Sequence, residues 1–196
     1  MMCQSTISPR RQMMGVKLSI QEMQFNATEG GLGQALVDGI LRAGFDVVTG
    51  VPDSPLAPVT IALEKSENLY YPGLREDTCL AWAAGTCMAG RVPLVMMKSA
   101  GFANCLDSLT SLVEVYGLPI VLLISWAGYR GRDIPHHNVI GEPLKGLLEI
   151  LGIPAIETSL ADPQAVGAAL AAALSLARER RGAAAILGIP EGLLAK

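Results

Sequence analysis

From residue 28 onward the chain predicts an α/β fold, a three-layer αβα arrangement around a mostly parallel six-stranded sheet. Three observations predict it. Apolar, β-branched runs alternate with segments of helical periodicity, which means βα units and a sheet covered on both faces. Hydrophobic residues make up 51% of the 196 residues and charged residues 17%, a composition that fits a well-buried core and argues against disorder. Glycine and proline punctuate the runs at intervals that suit about six strands in one domain.

The elements follow in order. Leu32, Leu36, Ile40 and Leu41 recur at helical spacing, and the segment stops at Gly44. Phe45 to Thr49 reads as a buried strand ending in Gly50. Pro55 to Lys65 is helical, with Pro55 and Pro58 in the first turn, where proline is tolerated. Leu69 to Pro72 is a short strand, and Asp77 to Ala89 a buried helix. Pro93 to Lys98 is a strand, Asn104 to Tyr116 a helix, and Pro119 to Ser125 the most apolar strand. After a long loop, Pro143 to Leu151 is a helix and Ala155 to Glu157 a short strand. Asp162 to Arg180 is an alanine-rich helix with Asp162 as N-cap and Pro163 in its first turn. Ala183 to Leu187 closes the sheet.

Composition excludes several function classes. The net charge is −3 with no basic stripe, so nucleic acid is not an expected partner. The apolar run Leu118 to Ile124 contains a proline and is far too short to span a bilayer. The cysteines, Cys3, Cys79, Cys87 and Cys105, form no CxxC pair and read as reduced core residues of a cytoplasmic protein. The two histidines are adjacent and far from every cysteine, so no metal site is expected. Residues 1–27 lack periodicity and a signal-peptide core, and read as a disordered extension or an upstream start codon.

Ligands of parallel sheets gather beyond the carboxyl ends of the strands. Those ends carry Gly50 to Ser54, Arg75-Glu76, Ser99 to Gly101, and Trp126 to Gly141. Glu76 sits where a strand hands over to an apolar helix. A carboxylate there loses solvation and holds a proton more readily, which suits proton transfer. A helix-start carboxylate favoured by the macrodipole is the alternative, and Asp77 competes for the functional role. Asp53 or Ser54 can cap the next helix, or Asp53 can serve as a polar group of the site. Gly101 lets the backbone approach a neighbour or an anion, or makes a tight turn. His136 and His137, with Arg130, Arg132 and Asp133, suit an anionic substrate and a proton shuttle, or form a solvated loop. The sequence has no GxGxxG after its first strand, no GxxxxGK[ST] and no GxSxG.

Together these segments resemble a known family. Arg75-Glu76 followed by Ala81-Trp82-Ala83-Ala84-Gly85 is similar to the glutamate segment of the pyrimidine-binding (PYR) domain of thiamine-diphosphate enzymes. Met97 to Asn104 and Asp107 to Leu112 resemble that domain's strand–Gly–Asn–helix segment. Gly50 to Ser54 and Leu123 to Gly128 narrow the resemblance to the sulfopyruvate and phosphonopyruvate decarboxylases, over about Leu32 to Pro190. It implies the thiamine-diphosphate-binding fold in a single PYR domain, residues 28–196. In that family another domain holds the cofactor's diphosphate through Mg²⁺ with a Gly-Asp-Gly segment, which this sequence lacks. The resemblance therefore implies a separate β subunit, with this chain similar to split α subunits, in an α₂β₂ assembly or a multiple.

The implied activity is decarboxylation of an anionic 2-keto acid, 3-sulfopyruvate ahead of phosphonopyruvate, with a non-catalytic assembly subunit as the alternative from another class. Glu76 matches the glutamate that hydrogen-bonds the aminopyrimidine and relays a proton. Ser99, Gly101, Phe102 and Asn104 match cofactor-binding positions, with Phe102 on the pocket wall. Asp53 and the His136-His137 doublet match catalytic positions, and Ser54, Arg130 and Arg132 would meet the substrate. Two positions depart from the pattern. Lys98 stands where the family leads us to expect Gln, and Ala100-Gly101-Phe102-Ala103 replaces the more usual Ser-Gly-Leu-Gly.

Overall fold

A computed structural model describes residues 27–67 and 69–194. The expected extension thus lies, apart from Ala27, outside the described residues. In chain order the elements are α1 (Ala27–Ala43), β1 (Val47–Gly50), a 3₁₀ turn (Ser54–Leu56), α2 (Ala57–Leu63), β2 (Tyr70–Pro72), α3 (Glu76–Met88) and β3 (Pro93–Lys98). Next come α4 (Ser99–Phe102), a 3₁₀ turn (Ala103–Cys105), α5 (Leu106–Ser108), a π-helical turn (Leu109–Glu114) and β4 (Val121–Ser125). A 3₁₀ turn (Tyr129–Gly131), α6 (Pro135–Gly141), α7 (Leu144–Ile150), β5 (Ala155–Ser159), α8 (Pro163–Arg180), β6 (Ala184–Ile189) and α9 (Glu191–Leu194) complete the fold.

The six strands form one parallel sheet in the order β2-β1-β3-β4-β6-β5. Alternate residues of each central strand feed two cores. Val95 and Met97 of β3, with Leu122 and Ile124 of β4, point to the layer made by α3, the helices after Ser99, and α7. Leu94 and Met96, with Val121 and Leu123, point to the layer of α1, α2 and α8. These strands are buried on both faces, which is why they read as continuous apolar runs. Each fully buried Leu or Ile side chain contributes about 1.5–3 kcal/mol. Asp162 caps α8 as expected, its Oδ1 accepting from the Gln164 and Ala165 amides at 3.0 Å each. Among the described residues no helix is long and apolar enough to cross a membrane.

The structure differs from the sequence reading in three places. Helix begins directly after β3, at Ser99 and not at Asn104. Gly101 takes ordinary helical angles, so it makes no turn between strand and helix. The long loop after β4 contains α6, started by Pro135 after an extended Ile134 (φ −67°, ψ 151°). Finally, α3 is buried on one side only. Cys79, Leu80, Ala83 and Ala84 face the core, while Trp82 and Met88 remain 40% and 55% exposed. The sequence reads as a buried helix; the structure leaves its second apolar face bare.

Candidate active site at the carboxyl ends of the strands

The strand order reverses direction at β1, which has β2 on one side and β3 on the other. In open parallel sheets the crevice at such a reversal, beyond the carboxyl ends, is where ligands bind. Residues from β1, β3 and β4 converge there. Lys98 and Ser125 end β3 and β4 as register partners. Asp53, three residues beyond β1, reaches both. Ser125 Oγ donates a short hydrogen bond to Asp53 Oδ2, and Lys98 Nζ lies 3.6 Å from Asp53 Oδ1. The Asp53 side chain is 8% exposed and that of Lys98 29%. Asp53 occupies the position before the 3₁₀ turn, yet its side chain makes no cap bond. Its carboxylate is committed to the sheet edge, not to capping.

A second cluster forms around Glu76. Glu76 opens α3 and is half-buried. Asn104 Nδ2 donates to its Oε2 at 3.0 Å. A side chain on Gly101 would collide with the Glu76 carboxyl group, so the close approach that Gly101 permits is to Glu76 itself. Asn104 and Gly101, separate in the first turns of one helical stretch, thus both bear on the same carboxylate. Arg75 and Asp77, on either side of Glu76, bind each other in a two-pronged pair at 2.9 and 3.1 Å. The Asp77 carboxyl is accordingly held below its ordinary range, first by the hydrogen bond from Arg75. Asp77 is thus turned to Arg75, while Glu76 bears on Asn104 and Gly101. Tyr71 and Trp82 stack beside α3 with ring centroids 4.9 Å apart. They wall a cleft of about 200 Å³ shared with Thr49, Gly73 and Cys79.

The third segment is the turn from Trp126 to Gly141. Gly128 and Gly131 take left-handed backbone angles (φ 80° and 66°), and so does Arg130 (φ 52°), uncommon for a residue with a side chain. Asp133 ties the turn together: its carboxylate accepts from the Gly128 amide at 3.0 Å and the Ile134 amide at 2.7 Å. His137 Nδ1 stands 3.1 Å from Asp133 Oδ2. Burial opposes the charged form of Asp133, but the two amides and His137 outweigh it and hold the carboxyl below its ordinary range. The rings of His136 and His137 meet edge to face, centroids 4.4 Å apart. The Arg130 guanidinium lies 5.0 Å from the Tyr129 ring centroid. The turn reaches the site through α4, against which α6 packs.

The expected residues therefore divide. Glu76, Gly101 and Asn104 are brought together. Asp53 joins Lys98 and Ser125 instead, and Ser54 is exposed nearby. Among the described residues no hydrogen bond or ion pair joins His136 or His137 to Asp53 or Glu76; Arg130 and Arg132 lie in the same turn. Two of the expected residues sit beneath the open edge. Phe102 is fully buried in the core, so its side chain does not line the open edge. Ser99 is also fully buried, and its hydroxyl donates to the Ala127 carbonyl at 3.1 Å. Both support the site from beneath, because α6 and its preceding turn cover α4. Sequence reasoning missed Ser125 and gave Lys98 no role. The available signal was position: each is the polar residue that ends an apolar strand at the ligand edge.

These features agree with known proteins. A family described as "Thiamine pyrophosphate enzyme, N-terminal TPP binding domain" matches residues 31–147, which include Asp53, Glu76, Lys98, Asn104 and Ser125. The chain is 32% identical to a sulfopyruvate decarboxylase subunit alpha of Methanococcus maripaludis over 122 residues, covering 62% of this chain and 73% of that one. It is 30% identical to the corresponding protein of Methanothermobacter thermautotrophicus, covering 62% and 74%. It is also 30% identical to a phosphonopyruvate decarboxylase of Streptomyces viridochromogenes, covering 59% of this chain but 30% of that one. A 2-oxoglutarate:ferredoxin oxidoreductase from Magnetococcus marinus superposes with TM-score 0.60 at 16% identity, covering 81% of this chain and 28% of that one, a likeness of fold. The chain belongs to the thiamine pyrophosphate enzymes, as their N-terminal cofactor-binding domain.

Proposed function

We propose that this chain is the α subunit of a thiamine-diphosphate-dependent decarboxylase that converts 3-sulfopyruvate to sulfoacetaldehyde and CO₂, completed by a separate β chain. The observation that carries the reading is Glu76. Its carboxylate stands at the open ligand edge, held through Oε2 by Asn104 and seated against Gly101. Among the described residues Oε1 has no partner, so it can meet a ring nitrogen of the cofactor's pyrimidine. The residues thus fit the group: one carboxylate oriented by its neighbour, one oxygen left open, and aromatic rings alongside. Thiamine diphosphate, when bound, supplies the electron sink that decarboxylation requires.

This chain's own residues then divide the work. Glu76 holds and moves a proton at its open oxygen. Asn104 fixes the orientation of that carboxyl group. Asp53, nearly enclosed and bound by Ser125, places a second carboxyl group at the crevice. Asp133 stands 3.1 Å from Nδ1 of His137 without a hydrogen bond to it, and Nε2 is the nitrogen proposed to face substrate. Tyr71, Leu74 and Trp82, exposed by 40%, 98% and 40% around Glu76, form an apolar rim suited to a partner that would exclude water. The β chain would hold the diphosphate and Mg²⁺, in an α₂β₂ assembly or a multiple. The named α-subunit relatives, each covered over nearly three quarters of its length, support this division. Cys79, Cys87 and Cys105 are free thiols, in keeping with action in the reducing cytoplasm.

Phosphonopyruvate as substrate is the second reading, favoured by the Streptomyces relative. The test is to assay the chain alone and mixed with a Gly-Asp-Gly-containing β chain, thiamine diphosphate and Mg²⁺, on both keto acids. The expected outcome is CO₂ release only from the mixture, faster with 3-sulfopyruvate. Full activity from the isolated chain contradicts the split site, and silence of the mixture on both acids contradicts the enzyme.

A further inference from the structure

The most unusual group in the crevice is the one the family pattern does not supply, the ammonium of Lys98. It sits at the carboxyl end of β3, at the strand-order reversal beside β1. A cation at this position needs an anionic partner, and Asp53 answers only in part. At 3.6 Å the pair is an ion pair but not a hydrogen bond, longer than the roughly 2.7–2.9 Å of a charge-assisted N–H···O bond. Asp53 instead spends Oδ2 on Ser125. Lys98 therefore holds three N–H donors at a crevice, with its charge offset nearby and its donors available to an incoming anion. Of the other cations of this edge, Arg75 is paired with Asp77 and Arg130 lies over the Tyr129 ring; Arg132, in the turn after β4, is a further cation there, but Lys98 is the one at the strand-order reversal itself.

We infer that Lys98 is a specificity-determining residue that binds the anionic tail of the substrate, the sulfonate or phosphonate, and not its departing carboxylate. This rests on the decarboxylase reading above. The chemistry chooses between the two anions. Loss of CO₂ drains charge from the carboxylate, so a cation fixed there would stabilise the ground state and oppose the reaction. The tail keeps its charge from substrate to product. A cation on the tail binds ground state and transition state alike, which lowers KM without altering kcat. Asp53, relieved of part of its compensating charge when the ammonium turns to the tail, remains on Ser125 at the same crevice.

The test uses the assembled enzyme with Lys98→Met and Lys98→Arg, comparing 3-sulfopyruvate with pyruvate, whose tail is a neutral methyl. Calorimetry with 3-sulfopropanoate, which has the tail but no keto group, reads binding without turnover. Lys98→Met is expected to raise KM for 3-sulfopyruvate by about tenfold or more, the order of a lost charged hydrogen bond. It should leave kcat and the pyruvate KM nearly unchanged, and weaken 3-sulfopropanoate in parallel. Lys98→Arg should restore most of the loss. Equal losses for both keto acids, or unchanged 3-sulfopropanoate affinity, overturn the inference. A wild-type complex that binds 3-sulfopropanoate through Lys98 yet turns over no keto acid supports the anion site and overturns the decarboxylase.

Discussion

At the amino ends of the strands, two carboxylates are satisfied within the chain. Asp46, just before β1, accepts from Arg91 Nε at 2.8 Å and from the Val92 amide at 2.7 Å. Glu114 takes both arms of Arg180, at 2.9 and 2.7 Å, and the Ala183 amide at 2.8 Å, locking the π-helical turn to the end of α8 and the start of β6. At the carboxyl ends the counterparts are underused. Glu76 has one hydrogen bond, Lys98 stands off from Asp53, and α3 shows an apolar face to solvent. The first edge is built to hold the sheet together. The second is left unfinished, which is what a site completed by cofactor and partner requires.

The comparison can be broken in order of effect. Glu76→Gln in the assembled enzyme should cut turnover by about a hundredfold or more, since the amide cannot carry the proton. The melting temperature of the chain should barely move, because Glu76 makes a single exposed-edge bond. Glu114→Ala should do the reverse. It strips the Ala183 amide of its acceptor and leaves Arg180 only the Ala183 carbonyl, and should cost about 2 kcal/mol in urea unfolding, with activity per folded molecule retained. Gly101→Ala sharpens the contrast from beneath: the added methyl displaces the Glu76 carboxyl group, and kcat should fall by about tenfold, while a stability loss without loss of rate would detach Gly101 from the site.

The smallest effect concerns Asp133. Its carboxyl is held below the ordinary range in the folded chain, so its hold on the Gly128 and Ile134 amides is complete above the unfolded value of about 3.9. The hold is lost as pH falls through the lower, folded value. Amide exchange at Gly128 should therefore stay protected down to about pH 4 and open only below it. Opening already near neutral pH would remove Asp133 as the anchor of the turn.

What was legible in the sequence follows the same geography. Glu76, Gly101 and Asn104 could be singled out because local order carries them: a carboxylate at a strand-to-helix handover, then a Gly and an Asn three residues apart just after a strand. The strand alternation likewise announced the parallel sheet. The Asp53–Lys98–Ser125 cluster was not legible, because three strands separated by whole helices bring it together, and only their register sets Lys98 beside Ser125. The burial of Ser99 and Phe102 was not legible for a related reason. Whether the first turn of a helix faces solvent or core depends on what covers it, here α6, an element concealed in what read as a loop. The bare face of α3 was hidden too, since an all-apolar helix looks the same whether its own fold or another protein covers it.

The unfinished edge can be examined directly by hydrogen exchange of the chain, free and mixed with the proposed β partner and thiamine diphosphate. The account predicts new protection at the start of α3 from Glu76 to Trp82 and through Ser99 to Asn104, with Asp46, Arg91, Glu114 and Ala183 unchanged. Protection gained at the amino edge, with the Glu76 segment unaltered, would contradict it.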